Sequence, residues 1–199
     1  MKNILFIQSQ ELITYNNKII VNDGERVFTS FIGQQPAKLI IGINARVWEV
    51  IRCGARYHHD GISEDITKDN ASLFFCDFHG LQVRNGYCYL YKRVRDDFTD
   101  FFSGIYKYLP GTTVTADDWI PNERIVCGNA LHLSATKELS EQWNEGGHVL
   151  KCLVALENMC VFPYNISQIR CRTVRVLHAG SCHYLRSYNE DCNCGGDET

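Results

Sequence analysis

The chain has 199 residues, enough for one medium domain or two small ones, and its 45% hydrophobic and 22% charged composition is that of a globular protein able to build a core without metals or disulfides. A net charge of −3 gives no strong nucleic-acid signal, although it is compatible with a local basic strip. No apolar run approaches the roughly 18 to 20 residues of a membrane helix, and the opening Ile4-Leu5-Phe6-Ile7 is broken at Gln8, short of a secretory signal. A cytoplasmic protein with no membrane partner is therefore expected. The ten cysteines are irregularly spaced, so reduced and mostly buried thiols are expected rather than a disulfide framework.

Residues 1–85 read as a strand-rich N-terminal region. Apolar runs at 4–7, 12–15 and 18–21 are separated by the turn signals Asn16-Asn17 and Asn22-Asp23-Gly24, a pattern that predicts two short hairpins. A degenerate alanine-punctuated repeat follows: Asn44-Ala45-Arg46-Val47-Trp48, then Gly54-Ala55-Arg56-Tyr57-His58, then Asn70-Ala71-Ser72-Leu73-Phe74. Strands of this kind either stack as solenoid rungs or lie in an antiparallel sheet. The segment 48–52 is compatible with helix or strand. His58-His59-Asp60-Gly61 reads as a turn, because adjacent ligands on a strand point to opposite faces.

Residues 86–180 read as a small α+β domain. Tyr87 to Val94 is a strand by composition, Asp96-Asp97 a turn, and 101–109 an aromatic strand ending at Pro110-Gly111. A short strand at 130–133 leads to the one main helix, 136–144, with Ser134 or Thr136 as its N-cap, Leu139 and Trp143 on one face, and Gly146-Gly147 as its stop. Strands are predicted at 148–156, 159–162 and 169–177. The tail, 181–199, is polar and expected to be loose. The whole is thus expected to be a β-rich α+β fold, with N-terminal strand repeats followed by the small domain.

Several polar residues stand out. His132 lies between Leu131 and Leu133 and must face away from both, either as a pocket residue or as a structural histidine. Ser134 is read as an N-cap before a nucleophile, since no Gly-x-Ser-x-Gly elbow surrounds it. Arg170 and Arg172 share a face in a regular strand, with Arg175 opposite, so the strip is either a solvated face or an anion site. Aromatic residues between 87 and 108 suit a strand-rich core better than base stacking. Cys127 with His132, and Cys182-His183 with Cys192-Asn193-Cys194, lack the paired knuckles of structural zinc, so no metal is expected.

The order of features from 89 to 177 carries a resemblance. Tyr91-Lys92-Arg93-Val94, Tyr108-Leu109-Pro110-Gly111, Ala116-Asp117-Asp118-Trp119, Cys127-Gly128-Asn129-Ala130-Leu131-His132-Leu133-Ser134 and Ile169-Arg170-Cys171-Arg172 occur in sequence. This resembles a family of uncharacterised bacteriophage and bacterial domains that open with a Tyr-Lys strand, carry a Cys-Gly…Leu-His motif and close on a basic strand. Here the closing motif, Gln168-Ile169-Arg170, has no lysine.

A more distant likeness is to the ADP-ribosyltransferase fold, and it implies NAD gripped by Lys92 or Arg93, a second step at His132 and Ser134, and a catalytic carboxylate near 168–172. No Asp or Glu occurs there, and Glu138, Glu141 and Glu157 are near only in sequence. The resemblance implies a phage-derived accessory protein that binds a host partner or a small phosphorylated or nucleotide ligand without turnover, such as a host-defence antagonist, through Lys92, Arg93, His132, Ser134, Arg170 and Arg172, with no cofactor. The alternatives are an NAD-using ADP-ribosyltransferase-like enzyme and a structural module that assembles as a homo-oligomer.

Overall fold

The computed structural model describes residues 4–8, 18–31, 38–51, 54–122, 130–162 and 165–178, and it is a β-rich α+β fold with two helices. It opens with β1 (Ile4–Gln8), β2 (Lys18–Val21), β3 (Arg26–Phe31), β4 (Lys38–Ile41) and β5 (Arg46–Ile51). These strands pair in parallel, β1 with β3 and β3 with β5 in one sheet, and β2 with β4 in another. Lys18 lies beside Lys38 and Arg26 beside Arg46, so successive rungs are 20 residues apart. The hairpin predicted about Asn22-Asp23-Gly24 does not form. The turn after β2 is a corner that passes the chain to the other sheet; Asn16-Asn17 lies outside the described residues.

The corners explain the stacking. The Gly42 N–H donates to Val21 O, Gly24 N–H to Ile43 O and Arg46 N–H to Glu25 O, each at 2.8 Å. The Asp23 carboxylate accepts from Ile43 N–H, also at 2.8 Å. A Cβ on Gly42 would collide with the Asp23 backbone and side chain, so only glycine lets one corner lie on the next. Ile19, Val21, Val27, Ala45 and Val47 fill the space between the two sheets.

The three alanine-punctuated segments take three different roles. The first lies on β5 and the second on β6 (Gly54–His59), which pairs antiparallel with β5 and with β7 (Ile62–Ile66). The third, expected as a strand, opens α1 (Ala71–His79), because Phe74, Phe75 and Phe78 recur at helical spacing and are all buried. Gly80, in the left-handed region at φ 69°, ends it. On the face of the sheet turned away from the solenoid interior, Trp48 and Tyr57 meet α1. The Tyr57 ring stacks on Phe74 at 4.8 Å and Trp48 meets Phe78 edge-on at 6.2 Å. The Tyr57 hydroxyl donates to Asp77 at 2.6 Å, and Arg46 reaches the same carboxylate at 2.9 Å.

The rest is one seven-stranded sheet with a short helix. Its elements are β8 (Tyr87–Val94), β9 (Thr113–Thr115), β10 (Leu131–Ser134), α2 (Lys137–Glu141), β11 (His148–Ala155), β12 (Met159–Phe162), β13 (Asn165–Cys171) and β14 (Thr173–Val176). The order is β12-β13-β10-β8-β11-β14-β9. The strand predicted over 169–177 is broken at Arg172, and its halves lie on opposite sides of β8. A one-residue link between such distant positions requires the sheet to curl around its inner face. Cys88, Leu90, Leu131, Leu133, Cys152, Ile169, Cys171, Val174 and Val176 occupy that face and are buried. The aromatic strand predicted at 101–109 is a turn, and the predicted helix of nine residues is five residues long.

One apolar cluster runs from Trp48 and Tyr57 through α1 into the curled sheet. The five cysteines of the described residues are free and buried in or beside it. At the junction, His79 Nε2 donates to Ile166 O at 2.7 Å between the Phe75 and Phe78 rings. Burial lowers the His79 pKa to about 4, although the bond to Ile166 opposes the shift.

Two outcomes are expected. Gly42→Ala should destabilise the chain by roughly 1–3 kcal/mol in urea unfolding, since a corner backbone has to move. The unfolded chain protonates His79 near pH 6.5 and the folded chain only near pH 4, so its contribution is complete above 6.5 and falls as pH drops through that window. Between pH 8 and 5 the loss should be roughly 2 kcal/mol, and His79→Gln should flatten that slope; an unchanged slope would refute the assignment.

Candidate functional site

The outer face of the curled sheet carries a cavity of about 310 Å³ between α2 and the turn at 101–103. Strand alternation decides what enters it. On β8, Cys88, Leu90, Lys92 and Val94 are buried inward, whereas Tyr89, Tyr91 and Arg93 face out. Ser134 sits beside both Tyr91 and Gln168 in the ladder, and His132 beside Arg170, so these residues share the outer face. Tyr91, Arg93, His132, Ser134 and Gln168 form the floor, Ser140, Trp143 and Asn144 one wall, and Phe101 and Phe102 the other.

The walls are held by specific bonds. Asp100, itself buried, accepts from Phe102 N–H at 3.0 Å, Ser103 N–H at 2.6 Å, the Ser103 hydroxyl at 2.7 Å and Tyr106 N–H at 3.1 Å. Burial raises its pKa, but these bonds and the nearby Lys92 charge outweigh burial and hold the carboxyl below its usual value. On the other side, Arg93 Nε donates to Gly146 O at 2.7 Å, which fixes the guanidinium plane against the loop after α2. Gly147 packs so closely on Val94 O that no side chain fits there. Phe98, on the turn after β8, takes a left-handed φ of 66°, unusual for a bulky residue, and stacks on His148 at 4.9 Å.

The six residues singled out in the sequence separate into two groups. Arg93, His132 and Ser134 meet at the cavity. Lys92 belongs to its wall, but the side chain alternates inward, with Nζ 5.2 Å from the centre of the Tyr108 ring. Burial lowers the Lys92 pKa and the Asp100 charge opposes that shift. Arg170 is 2% exposed and donates to the main-chain oxygens of Ile120 and Asn122, so it holds a loop. Arg172 occupies the bend and lies outside the cavity. The bend also shifts the strand phase: residues 169 and 171 face inward before it and 174 and 176 after it, so Arg175 falls on the outer face together with Arg170. A regular strand would have set them opposite.

Ser134 is not the helix cap. That role belongs to Thr136, whose hydroxyl accepts from Leu139 N–H at 3.2 Å. Sequence reasoning missed Tyr91, Phe102, Trp143 and Asn144. The alternation of Tyr91 and Arg93 against Lys92 was readable from period two. The spacing of Leu139 and Trp143 predicts one shared helix face, but α2 ends at Glu141, before Trp143 is reached.

Among the described residues, none that lines the cavity is Asp or Glu. Glu138 lies near enough to add to burial in raising the Tyr91 phenol pKa, but it does not line the cavity. Among the described residues, no three His, Cys, Asp or Glu side chains gather as a metal site. No helix among them is long and apolar enough to cross a membrane. Cys127 and the cysteines of the tail lie outside the described residues. The class defined by fold and site is a β-rich α+β protein with one cationic, aromatic-walled cavity on the outer face of its curled sheet. No family model, curated protein or solved structure matches the chain.

Asp100→Ala should remove the anchor of the 100–106 turn and leave the Lys92 charge buried without its neighbour, lowering unfolding free energy by roughly 3 kcal/mol or more. Arg172→Ala should change it by about 0.5 kcal/mol or less, since only the main chain of that residue is engaged. Equal effects in a denaturant titration would overturn this division between Asp100 and Arg172.

Proposed function

We propose that this protein binds a small phosphorylated ligand in the cavity between β8, β10, β13 and α2 and does not turn it over. The observation that supports this most is the convergence of Arg93, His132 and Ser134 on one cavity lined, among the described residues, by no carboxylate. An arginine fork beside a neutral or protonatable imidazole and a hydroxyl suits phosphate oxygens. Glycosyl or hydrolytic chemistry needs a carboxylate or an equivalent base on the reacting centre, and the closing strand offers Gln168 in its place. The wider reading, an accessory protein of bacteriophage origin acting in the host cytoplasm as a host-defence antagonist, rests on the family likeness. A host protein as the partner stands on the same footing.

A second reading has its own support. The three strands that the ADP-ribosyltransferase likeness assigns to NAD do meet at this cavity, so an NAD-using enzyme predicts nicotinamide release that His132→Ala abolishes. Absence of release with any acceptor removes that reading. Assembly through the exposed edges of β7 and β9 is the third, and predicts a defined homo-oligomer by size exclusion.

For the leading reading, thermal unfolding with phosphate, ribose 5-phosphate and mononucleotides is the direct test. A ligand at a hundredfold excess over its Kd should raise Tm by roughly 5–10 °C. Arg93→Glu should erase the shift and Arg172→Glu should leave it intact; the reverse pattern would overturn the site.

A further inference from the structure

We propose that Phe102 and Trp143 are the two jaws of an aromatic clamp, and that the ligand is therefore a mononucleotide whose base lies between them. This deepens the anion-pocket reading and rests on it for the phosphate end. Both side chains line the cavity, Phe102 on the turn after β8 and Trp143 just beyond α2. Phe102 is 82% exposed and Trp143 46%. Large aromatic side chains at such exposure, brought to one cavity from two different segments, form a surface that gains by being covered.

Phe102 is not exposed because its loop is loose. The Asp100 carboxylate accepts from Phe102 N–H at 3.0 Å and from Ser103 N–H at 2.6 Å, so the backbone beneath the ring is fixed. The His132 ring supports it edge-on, with centroids 6.3 Å apart. A prepositioned ring loses little freedom when it stacks on a ligand. Trp143 follows α2 and stands beside Asn144, whose amide offers both a donor and acceptor at the edge of the cavity, as Gln168 does from the floor. Amides of this kind read the edge of a heterocycle, whereas a sugar phosphate gives the aromatic walls nothing to stack on. At about 310 Å³ the cavity is at the lower end of small-ligand sites, which favours one nucleotide unit over two.

The exposed Ile105 on the same turn gives this surface an apolar extension that a docked protein could use instead. Charge favours the nucleotide over a docked protein, because the floor beneath the rings carries the Arg93 guanidinium, which an apolar protein surface would leave buried and unpaired.

The test titrates the full chain with the four ribonucleoside monophosphates, adenosine and ribose 5-phosphate, read by calorimetry and by tryptophan fluorescence, with Trp143→Phe identifying the responding indole. At least one monophosphate should bind more tightly than ribose 5-phosphate and quench Trp143. Phe102→Ala, at a position too exposed to threaten folding, should weaken that nucleotide about 10- to 100-fold and leave ribose 5-phosphate unchanged. Ile105→Ser should change neither. If nucleotide and ribose 5-phosphate bind alike and Phe102→Ala has no effect, the clamp is wrong while the anion pocket stands. If adenosine binds in a Phe102-dependent way, phosphate compounds add nothing and Arg93→Glu is silent, the clamp stands and the anion reading fails. Binding of none of these ligands overturns the clamp.

Discussion

A single bent residue governs the C-terminal half of this protein. Arg172 donates its N–H to Asn158 O and accepts from Ala116 N–H, both at 2.8 Å, while the strands on either side of it pair on opposite flanks of β8. The sheet has no geometry that satisfies both pairings except a curl. Curling gives it an inside, where Leu90, Leu131, Leu133, Ile169 and Val176 are withdrawn from water, and an outside, which must be polar or be covered. Because the bend also resets the side-chain phase, Val174 and Val176 continue the inner face after Ile169 and Cys171 instead of exchanging places with arginines. Without that reset, β14 would turn Thr173 and Arg175 inward.

The curl fixes which residues can act together. Lys92 and Arg93 are adjacent in the chain and on opposite sides of the sheet. The lysine is spent on the interior, over the Tyr108 ring and near Asp100, and Asp100 in turn holds the turn that carries Phe101 and Phe102. The arginine is left on the outer face with His132, Ser134 and Gln168. A buried charge on one side thus supports the wall of a cavity on the other, so substitutions at Asp100, which does not line the cavity, act on the site through the fold. Arg170 shares the outer face with His132 but is removed from the site by its own contacts: its guanidinium holds the carbonyls of Ile120 and Asn122.

The N-terminal strands contribute a different kind of order. Parallel rungs 20 residues apart place Val27 beside Val47 and Phe28 beside Trp48, so one face of the sheet fills the solenoid and the other packs on α1. The buried Glu49 and His58, 2.8 Å apart, sit on the solenoid side and satisfy one another there. Through α1 and His79 this layer meets β12 and β13, and the apolar core continues without interruption from one half to the other.

Local chemistry was enough to give the β-rich class, the strand at 87–94 and the opposed directions of His132 and its leucine neighbours; of the turn predicted at His58-His59-Asp60-Gly61, only Asp60-Gly61 is a turn, and both histidines end β6. Each follows from period-two alternation or from turn residues, and neither depends on distant contacts. The 20-residue repeat was also present, as Val21-Asn22-Asp23-Gly24 against Ile41-Gly42-Ile43-Asn44, but alanine drew attention to a different spacing. What the chain did not reveal depends on partners far away in sequence. Whether 22–25 is a hairpin or a corner is decided by the rung stacked on it. Whether 70–74 is a strand or a helix is decided by Trp48 and Tyr57, which give Phe74 and Phe78 a surface to bury against. Whether Arg170 faces a ligand is decided by the carbonyls of Ile120 and Asn122, 48 to 50 residues away, and whether Arg172 does is decided by the bend; a bend between two well-patterned strands leaves no mark on the pattern until the sheet closes around it.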